Sequence, residues 1–255
     1  MNERPLIIGH RGASAVAPEN TLIAFERALQ DGADGIEFDV RLARDGVPVV
    51  IHDADLRRTA LRAGSIASLS SIELCQVDAG TWFNLRYPSA ARAEYSKATV
   101  PTLAQVLELL RESDALLYLE MKCEAGEGGA LPARVLRSIR EHAMADRVIV
   151  ESFALDSIEE IKRMDSGIRT AALFERKLSR PVPSGRKMLE RAVRCGADEI
   201  ALHHTLATRR ITTEAAQRGL RTVVWTVDSP SWVRRAMMYG VHALITNNPA
   251  LFLCA

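Results

Sequence analysis

The chain has 255 residues, of which 47% are hydrophobic and 25% charged, and its formal net charge is +1. These values are typical of a soluble globular protein with a sizeable core, and they exclude a basic field that would gather nucleic acid or an anionic membrane. The first residues have no signal-peptide layout, the first apolar run is too short to span a bilayer, and the cysteines lack CxxC spacing, so we expect a cytoplasmic protein with reduced thiols and no integral membrane contact.

Short β-branched runs alternate with longer helical patterns along the whole chain. Strands are predicted at 6–9, 36–40, 48–52, 116–122, 148–152, 170–174, 200–203, 222–227 and 243–246, and helices at 21–30, 103–111, 133–142, 155–164, 186–194, 212–217 and 231–238. Such alternation is typical of βαβ units in a parallel sheet. Because the units extend over the length that a barrel of this kind needs, we predict an α/β fold, a TIM (β/α)8 barrel, in a single domain covering residues 1–255.

The second and third predicted strands form a hairpin rather than a parallel pair. The link between them is too short for a helical crossover, and Asp45-Gly46 is a strong signal for a two-residue turn. We therefore expect an antiparallel hairpin near residues 36–52, which accounts for a ninth strand in an eight-stranded barrel. With a two-residue turn, Asp39 would face His52, and Glu37 would lie two residues further along.

The stretch GHRGASAVAPENTLIAF places His10 and Arg11 at the end of the first predicted strand. The ends of parallel strands are where α/β proteins display their functional groups. A histidine can move a proton near neutral pH, and an arginine binds phosphate or carboxylate. After the proline-containing loop, Asn20 is expected to cap the first helix.

Two pairs of charged residues follow at a spacing of two along predicted strands. Glu37 and Asp39 share one face of their strand, and two carboxylates aimed into a barrel repel unless they are protonated or bridged by a cation such as Mg²⁺ or Ca²⁺. An exposed strand face with two solvated acids is the alternative. Glu120 and Lys122 end an apolar strand, where Glu120 could complete a metal site and Lys122 could contact a phosphate. A structural ion pair at the barrel rim is the alternative there.

His52 ends its predicted strand near the same place as His10. Two histidines that flank a phosphate are a natural acid and base pair. Arg11, Lys122 and a cation together indicate an anionic substrate, most simply a phosphate. The sequence has no phosphate-binding P-loop, no strand-linked GxGxxG, no GxSxG elbow and no HExxH, which argues against nucleotide binding, serine hydrolysis and a zinc site. The remaining histidines are interpreted as structural: His142, His203, His204 and His242.

Six blocks in the same order, HRGASAVAPENTLIAF, GIEFDVRLARDGVPVVIHD, LYLEMK, ESF, VVWTV and ITNNP, resemble the glycerophosphodiester phosphodiesterase family over nearly the whole chain. The resemblance implies a TIM barrel with a small insertion at about 54–99 and metal-dependent hydrolysis of a small-molecule phosphodiester to glycerol 3-phosphate and an alcohol. It implies a divalent cation, with Mg²⁺ preferred over Ca²⁺. The implied roles are acid and base for His10 and His52, metal ligands for Glu37, Asp39 and Glu120, and phosphate contacts for Arg11 and Lys122.

Three aromatic residues have two interpretations each. Trp82 and Phe83 lie in the insertion, where they could close over the substrate alcohol or form the insertion's own small core. Trp225 could line the substrate pocket as a binding residue or pack in the barrel core.

One block departs from the family pattern, because Asn247 stands where the family usually has aspartate. Asn serves equally if the position caps a loop, whereas a position that orients a catalytic group by charge would be altered.

Two other functions are kept as alternatives. One is phospholipase-D-like action on lysophospholipids or sphingomyelin, which needs an apolar trough for an acyl chain. The other is a non-catalytic phosphate-binding barrel. Because the motifs contain no serine or cysteine paired with a base, the nucleophile is either a metal-bound water or the glycerol 2-hydroxyl. The hydroxyl lies next to the phosphorus and would form a cyclic glycerol phosphate intermediate.

Overall fold

Eight parallel strands close into a barrel in the computed structural model, which describes residues 4–123, 130–176 and 184–253. The barrel closes because β1 pairs with β2 on one side and with β9 on the other. In chain order the ring strands are β1 (Leu6–His10), β2 (Gly35–Leu42), β4 (Leu116–Met121), β5 (Val148–Ser152), β6 (Arg169–Phe174), β7 (Glu199–His203), β8 (Arg221–Trp225) and β9 (Ala243–Thr246). The predicted TIM barrel is confirmed.

Helices surround the barrel and connect its strands. They are α1 (Leu22–Gln30), α2 (Arg57–Ala60), α3 (Ser71–Leu74), α4 (Thr81–Arg86), α5 (Leu103–Leu109), α6 (Ala130–Glu141), α7 (Leu155–Met164), α8 (Gly185–Arg194), α9 (Arg209–Gln217), α10 (Ser231–Tyr239) and α11 (Ala250–Leu253). Their buried faces carry aliphatic residues that pack on the outside of the sheet. Among the described residues, no helix combines the length and apolar character that crossing a bilayer requires.

Strand β3 (Pro48–Val50) lies outside the ring and pairs antiparallel with β2, as the hairpin prediction requires. The predicted register is wrong by one residue. Val40 pairs with Val50, and the backbone N–H of Ile51 donates to the carbonyl of Asp39, so Asp39 faces Ile51 and not His52. The cause is the turn: Gly46 adopts a φ of 73° and its N–H bonds to Ala43, which makes a three-residue loop.

The inward-facing residues of the barrel form an apolar layer below a charged one. The apolar layer includes Ile8, Tyr118, Ile149, Ala201 and Val223. The charged residues stand one step nearer the carboxyl ends of the strands, where Asp39, Glu120 and Glu151 are register neighbours on β2, β4 and β5. Glu37 is the register neighbour of His10. Strand pairing therefore assembles acidic residues at the barrel end where TIM barrels place their active sites.

The segment between β3 and α5 contains only short helices: α2, α3, α4 and 3₁₀ turns at Ile66–Ser68, Pro88–Ala90 and Ala93–Lys97. Phe83 is fully buried and packs edge-on against Tyr95, so it belongs to a small core of this segment. Trp82 is half-buried and donates its indole N–H to the Ala79 carbonyl. It lines a cavity beside this segment and not the cavity at the carboxyl end of the barrel strands.

Candidate active site

A cavity of about 480 Å³ opens at the carboxyl end of the barrel strands. Its wall includes seven of the residues singled out from the sequence: His10, Arg11, Glu37, His52, Glu120, Lys122 and Trp225. Asp39 is fully buried and contacts the side chains of Arg11 and Lys122. The fold thus brings together every residue that the sequence marked for chemistry.

His10 ends β1 and is held by an amide. Its Nδ1 atom lies 2.7 Å from Oδ1 of Asn247, and the Asn247 amide nitrogen donates to Asp228 at 2.8 Å. The contact with Asp228 fixes which amide atom faces the histidine, and since a carbonyl oxygen only accepts, Nδ1 carries the proton. Nε2 is then the free acceptor and lies 3.8 Å from Glu37. Burial, assisted by the nearby Arg11 charge, lowers the pKa of His10 to about 4.

His52 follows β3 and is held by a carboxylate. Its Nδ1 lies 2.6 Å from Oδ1 of Asp53, and Arg58 donates to the other oxygen of Asp53 at 2.6 Å. Burial lowers the pKa of His52, although the charge of Asp39 opposes the shift. The two histidines therefore differ in their partners: an amide oxygen holds His10, whereas a carboxylate, which favours the protonated ring, holds His52.

Three buried carboxylates could hold a metal ion. Oxygen atoms of Glu37, Glu120 and Glu151 lie within 4.8 Å of one another. Burial and the charge of Asp39 raise the pKa of Glu37 well above its ordinary value and that of Glu120 to about 7. Burial and the neighbouring Glu37 raise the pKa of Glu151 as well. One oxygen of Glu151 has no hydrogen-bond partner among the described residues, so the donor set fits a hard divalent cation that would compensate this charge.

Asp39, a predicted metal ligand, bonds mainly to cations in this structure. Its carboxylate lies 2.8 Å from Nζ of Lys122 and 3.1 Å from Nε of Arg11. Burial alone would raise the pKa of Asp39, but these two charges outweigh it and hold the pKa well below its usual range. Asn20 donates to the same carboxylate at 2.7 Å. The predicted helix cap at Asn20 is therefore wrong: Thr21 caps α1, and Asn20 instead fixes Asp39.

Arg11 and Lys122 place two positive charges on the cavity wall. Arg11 has a φ of 55°, which turns its backbone N–H toward Glu37 at 2.9 Å, and its guanidinium bonds to Glu19 at 2.8 Å. Lys122 lies 2.6 Å from Glu120, and the adjacent carboxylates raise its pKa despite burial. Both cations are therefore charged at neutral pH and suit an anionic substrate.

The cavity lining also contains a cluster of apolar residues. Phe153 and Trp225 meet edge to face with ring centroids 5.6 Å apart, and Leu173 lines the same wall. Trp225 thus lies on the cavity wall while also packing against the barrel core. The cavity combines a charged side suited to a phosphate with a hydrophobic side suited to carbon atoms of the substrate.

Several residues of the site escaped the sequence analysis. Glu151 had a usable signal, because it ends a buried strand on an acid as Glu120 does. Asp228, Asp53 and Arg58 had none: each acts through a neighbour that only the tertiary structure brings into contact.

Comparison with known proteins identifies one family over nearly the whole chain. Residues 10–251 match the model of the "Glycerophosphoryl diester phosphodiesterase family". The chain is 30% identical over 246 residues to a glycerophosphodiester phosphodiesterase of Caldanaerobacter subterraneus, covering 96% of this chain and 95% of that protein. It is 30% identical over 258 residues to the Bacillus subtilis glycerophosphodiester phosphodiesterase, covering 98% and 86%. An Oleispira antarctica phosphodiesterase solved with the product sn-glycerol-3-phosphate superposes with a TM-score of 0.86 at 26% identity, covering 98% and 96%.

Proposed function

The chain belongs to the glycerophosphoryl diester phosphodiesterase family and is an enzyme of that class, and from this premise we propose that it cleaves glycerophosphodiesters with two histidines and a divalent cation. The observation that carries the proposal is one cavity wall on which His10 and His52 stand beside Arg11, Lys122 and an acidic cluster. The products are sn-glycerol 3-phosphate and an alcohol.

The acidic cluster supports the cation. Glu37, Glu120 and Glu151 would hold it through carboxylate oxygens, and Asp39 is kept as a further ligand. Mg²⁺ is taken first and Ca²⁺ as the alternative, since both prefer oxygen. When bound, the cation supplies positive charge that stabilises the charge developing on the phosphoryl oxygens.

Arg11 and Lys122 bind the phosphate in this proposal. Both lie on the cavity wall, and both keep their charge because buried acids surround them. Phe153 and Trp225, which line the same cavity, contact carbon atoms of the substrate and exclude water from the reacting centre. Arg11 also receives its orientation from Glu19 and Asp39, which fix the two ends of its guanidinium.

The partners of the two histidines assign their roles. His10 is neutral and has a free Nε2, so it acts as the general base. His52 is paired with the carboxylate of Asp53, which stabilises an imidazolium, so it acts as the general acid. Burial lowers the pKa of both histidines, but at His52 the Asp39 charge and the hydrogen bond to Asp53 oppose the shift, which favours His52 as the proton donor of the pair.

The glycerol 2-hydroxyl is the proposed nucleophile. His10 takes its proton as the oxygen attacks phosphorus, the bond to the alcohol breaks, and His52 protonates the departing oxygen. Water then opens the cyclic phosphate: His52 takes the proton of the water, and His10 returns its proton to the 2-oxygen. Each histidine ends in its starting state, and the intramolecular attack gains the advantage of proximity.

A lysophospholipid substrate is a second candidate because of a second cavity of about 650 Å³. Its apolar lining consists of Leu61, Trp82, Leu85 and Tyr87, of which all but Trp82 are exposed, and Arg58 and Arg86 also line it. Glu19, which bonds to Arg11 of the main cavity, also lies on its wall. Such a surface would suit the acyl chain of a lysophospholipid whose phosphate occupies the main cavity.

One assay tests both candidates. Purified protein is incubated with glycerophosphocholine, glycerophosphoethanolamine or lysophosphatidylcholine in Mg²⁺, in Ca²⁺ or in chelator. Release of glycerol 3-phosphate that stops in chelator is the expected result. Release of lysophosphatidic acid at a comparable rate would favour the second candidate. Absence of cleavage of every diester with either cation would contradict the proposal.

A further inference from the structure

Arg58, the second residue of α2, makes three short hydrogen bonds with one guanidinium. Two of its nitrogens bond to the two oxygens of Glu19 at 2.6 and 2.8 Å, and Nε bonds to Asp53 at 2.6 Å. The fork geometry of arginine matches a carboxylate in this two-point manner, whereas a lysine offers one point charge. Arg58 and Asp53 belong to the segment between β3 and α5, whereas Glu19 lies in the loop between β1 and α1.

Each of the two acids continues to a residue of the main cavity. Asp53 uses its other oxygen to accept from Nδ1 of His52 at 2.6 Å. Glu19 accepts from the Arg11 guanidinium at 2.8 Å. The result is an unbroken chain of contacts from His52 through Asp53, Arg58 and Glu19 to Arg11.

We infer that Arg58 is a positioning residue that sets both the ring of His52 and the guanidinium of Arg11. The inference rests on the proposed function, since it assigns Arg58 a part in the reaction only if His52 and Arg11 take part. Arg58 itself does not line the main cavity. It acts through Asp53, which holds the proton of His52 on Nδ1 and leaves Nε2 for the substrate, and through Glu19, which holds Arg11 toward the phosphate position.

The contacts of Arg58 with Asp53 and with Glu19 predict different kinetic effects. Loss of Asp53 orientation misplaces the proton of His52 and lowers kcat. Loss of Glu19 orientation loosens Arg11 and raises KM for the diester. A change at Arg58 affects both contacts, so kcat falls and KM rises together. The expected loss in kcat/KM is about 10–100-fold, the usual range for partners that orient residues of a reactive site.

Kinetics with glycerophosphocholine test the inference with Arg58→Lys and Arg58→Gln. The matched control is Arg57→Gln, because Arg57 neighbours it on α2, has a side chain that is 78% exposed, and contacts only Asp55 at 4.0 Å among the ion pairs of the described residues. Asp53→Asn should reproduce the kcat part and Glu19→Gln the KM part. Adding Arg58→Gln to Asp53→Asn should cost no further kcat. Thermal unfolding identifies variants that fold, and Arg58→Lys serves if Arg58→Gln does not.

A second readout does not depend on activity. At a pH high enough to keep the ring neutral, the ¹⁵N shifts of His52 should show the Nδ1–H tautomer in the wild type and a mixture of tautomers in Arg58→Lys. Folded Arg58 variants that match Arg57→Gln in kcat, KM and ring shifts would overturn the inference, as would fully additive losses with Asp53→Asn. If the wild type cleaves no diester, the proposed function fails, and the ring shifts alone decide whether Arg58 orients His52.

Discussion

His10 and Asn247 come together from opposite ends of the chain, with Nδ1 of the histidine 2.7 Å from Oδ1 of the asparagine. Asn247 follows β9, the strand that closes the barrel against β1. Asp228, after β8, holds the amide from behind at 2.8 Å. Asn247 is therefore more than a loop cap: its amide oxygen contacts His10, and its amide nitrogen contacts the negatively charged Asp228.

Asn247→Asp should lower kcat/KM, by about tenfold, because it places a second carboxylate against Asp228 and removes the amide donor between them. The double variant Asn247→Asp with Asp228→Asn again pairs one amide with one carboxylate at these two positions, and it should recover most of the lost kcat/KM. Steady-state rates with glycerophosphocholine measure both variants. A single variant that is more active than the wild type would show that the native asparagine handicaps the enzyme and would contradict this account.

Glu151→Gln should weaken the affinity for the divalent cation by about 10–100-fold. The reason is that Glu151 lies in the oxygen cluster with Glu37 and Glu120 and keeps one oxygen without a hydrogen-bond partner in the described part of the chain. Asp39→Asn, at the further ligand, should weaken the affinity less, since Asp39 lies outside this oxygen cluster and contacts Arg11 and Lys122. Calorimetric titration of the metal-free proteins with Mg²⁺ and with Ca²⁺ measures the affinities. Unchanged affinity in Glu151→Gln would remove Glu151 from the metal site.

A substrate analogue without the glycerol 2-hydroxyl should be cleaved at least about 10³-fold more slowly than glycerophosphocholine, because it lacks the nucleophile whose attack is intramolecular. Its binding should change little, since its phosphate still meets Arg11 and Lys122. Product formation followed by mass spectrometry gives the rate, and competition against glycerophosphocholine gives the affinity. Cleavage of the analogue at a normal rate would mean that water attacks directly.

Glu199→Gln should make the protein more stable at alkaline pH. Glu199 is buried at the start of β7, away from the cavity, where it accepts from the Tyr118 hydroxyl at 3.0 Å. Burial raises the pKa of Glu199 from 4.5 to about 7. The folded state therefore binds this proton more tightly than the unfolded state, and the contribution to stability, roughly 3 kcal/mol at most, is present below pH 4.5 and lost as the pH rises to about 7.

Urea unfolding at pH 5 and pH 8 measures this effect. The Glu199→Gln variant should gain stability over the wild type at pH 8 and gain much less at pH 5, while the exposed Glu112→Gln control should behave as the wild type at both. An equal difference between Glu199→Gln and wild type at the two pH values would show that Glu199 is not protonated in the folded protein.

The sequence predicts the barrel well because its signals are periodic and local. All nine strands and the hairpin follow from apolar runs and turn residues. The hairpin register could not be read from Asp45-Gly46, since the same pair serves a two-residue turn or a three-residue loop, and only the pairing of Val40 with Val50 decides between them.

The site is only partly readable for a different reason. His10, His52, Glu37 and Glu120 sit at strand ends, where position alone implies a shared cavity. The residues that orient these side chains cannot be recognised from their positions in the sequence. Asn20, for example, looks like a helix cap in sequence, but a φ of 56° turns it toward Asp39. Likewise, nothing in the sequence connects Arg58 to Glu19, because their contact depends on the tertiary structure of the segment between β3 and α5.

Rates with two leaving groups test the central claim, that His10 is the base and His52 the acid. Glycerophosphocholine releases an alcohol that needs a proton, whereas glycerol p-nitrophenyl phosphate releases a phenolate that does not. With glycerophosphocholine, His10→Ala and His52→Ala should each lose about 10²–10⁴ in kcat. With the nitrophenyl diester, single-turnover release of nitrophenolate should return close to the wild-type rate in His52→Ala and stay low in His10→Ala. Equal losses for both variants with both substrates, or rescue of His10→Ala instead, would contradict the account.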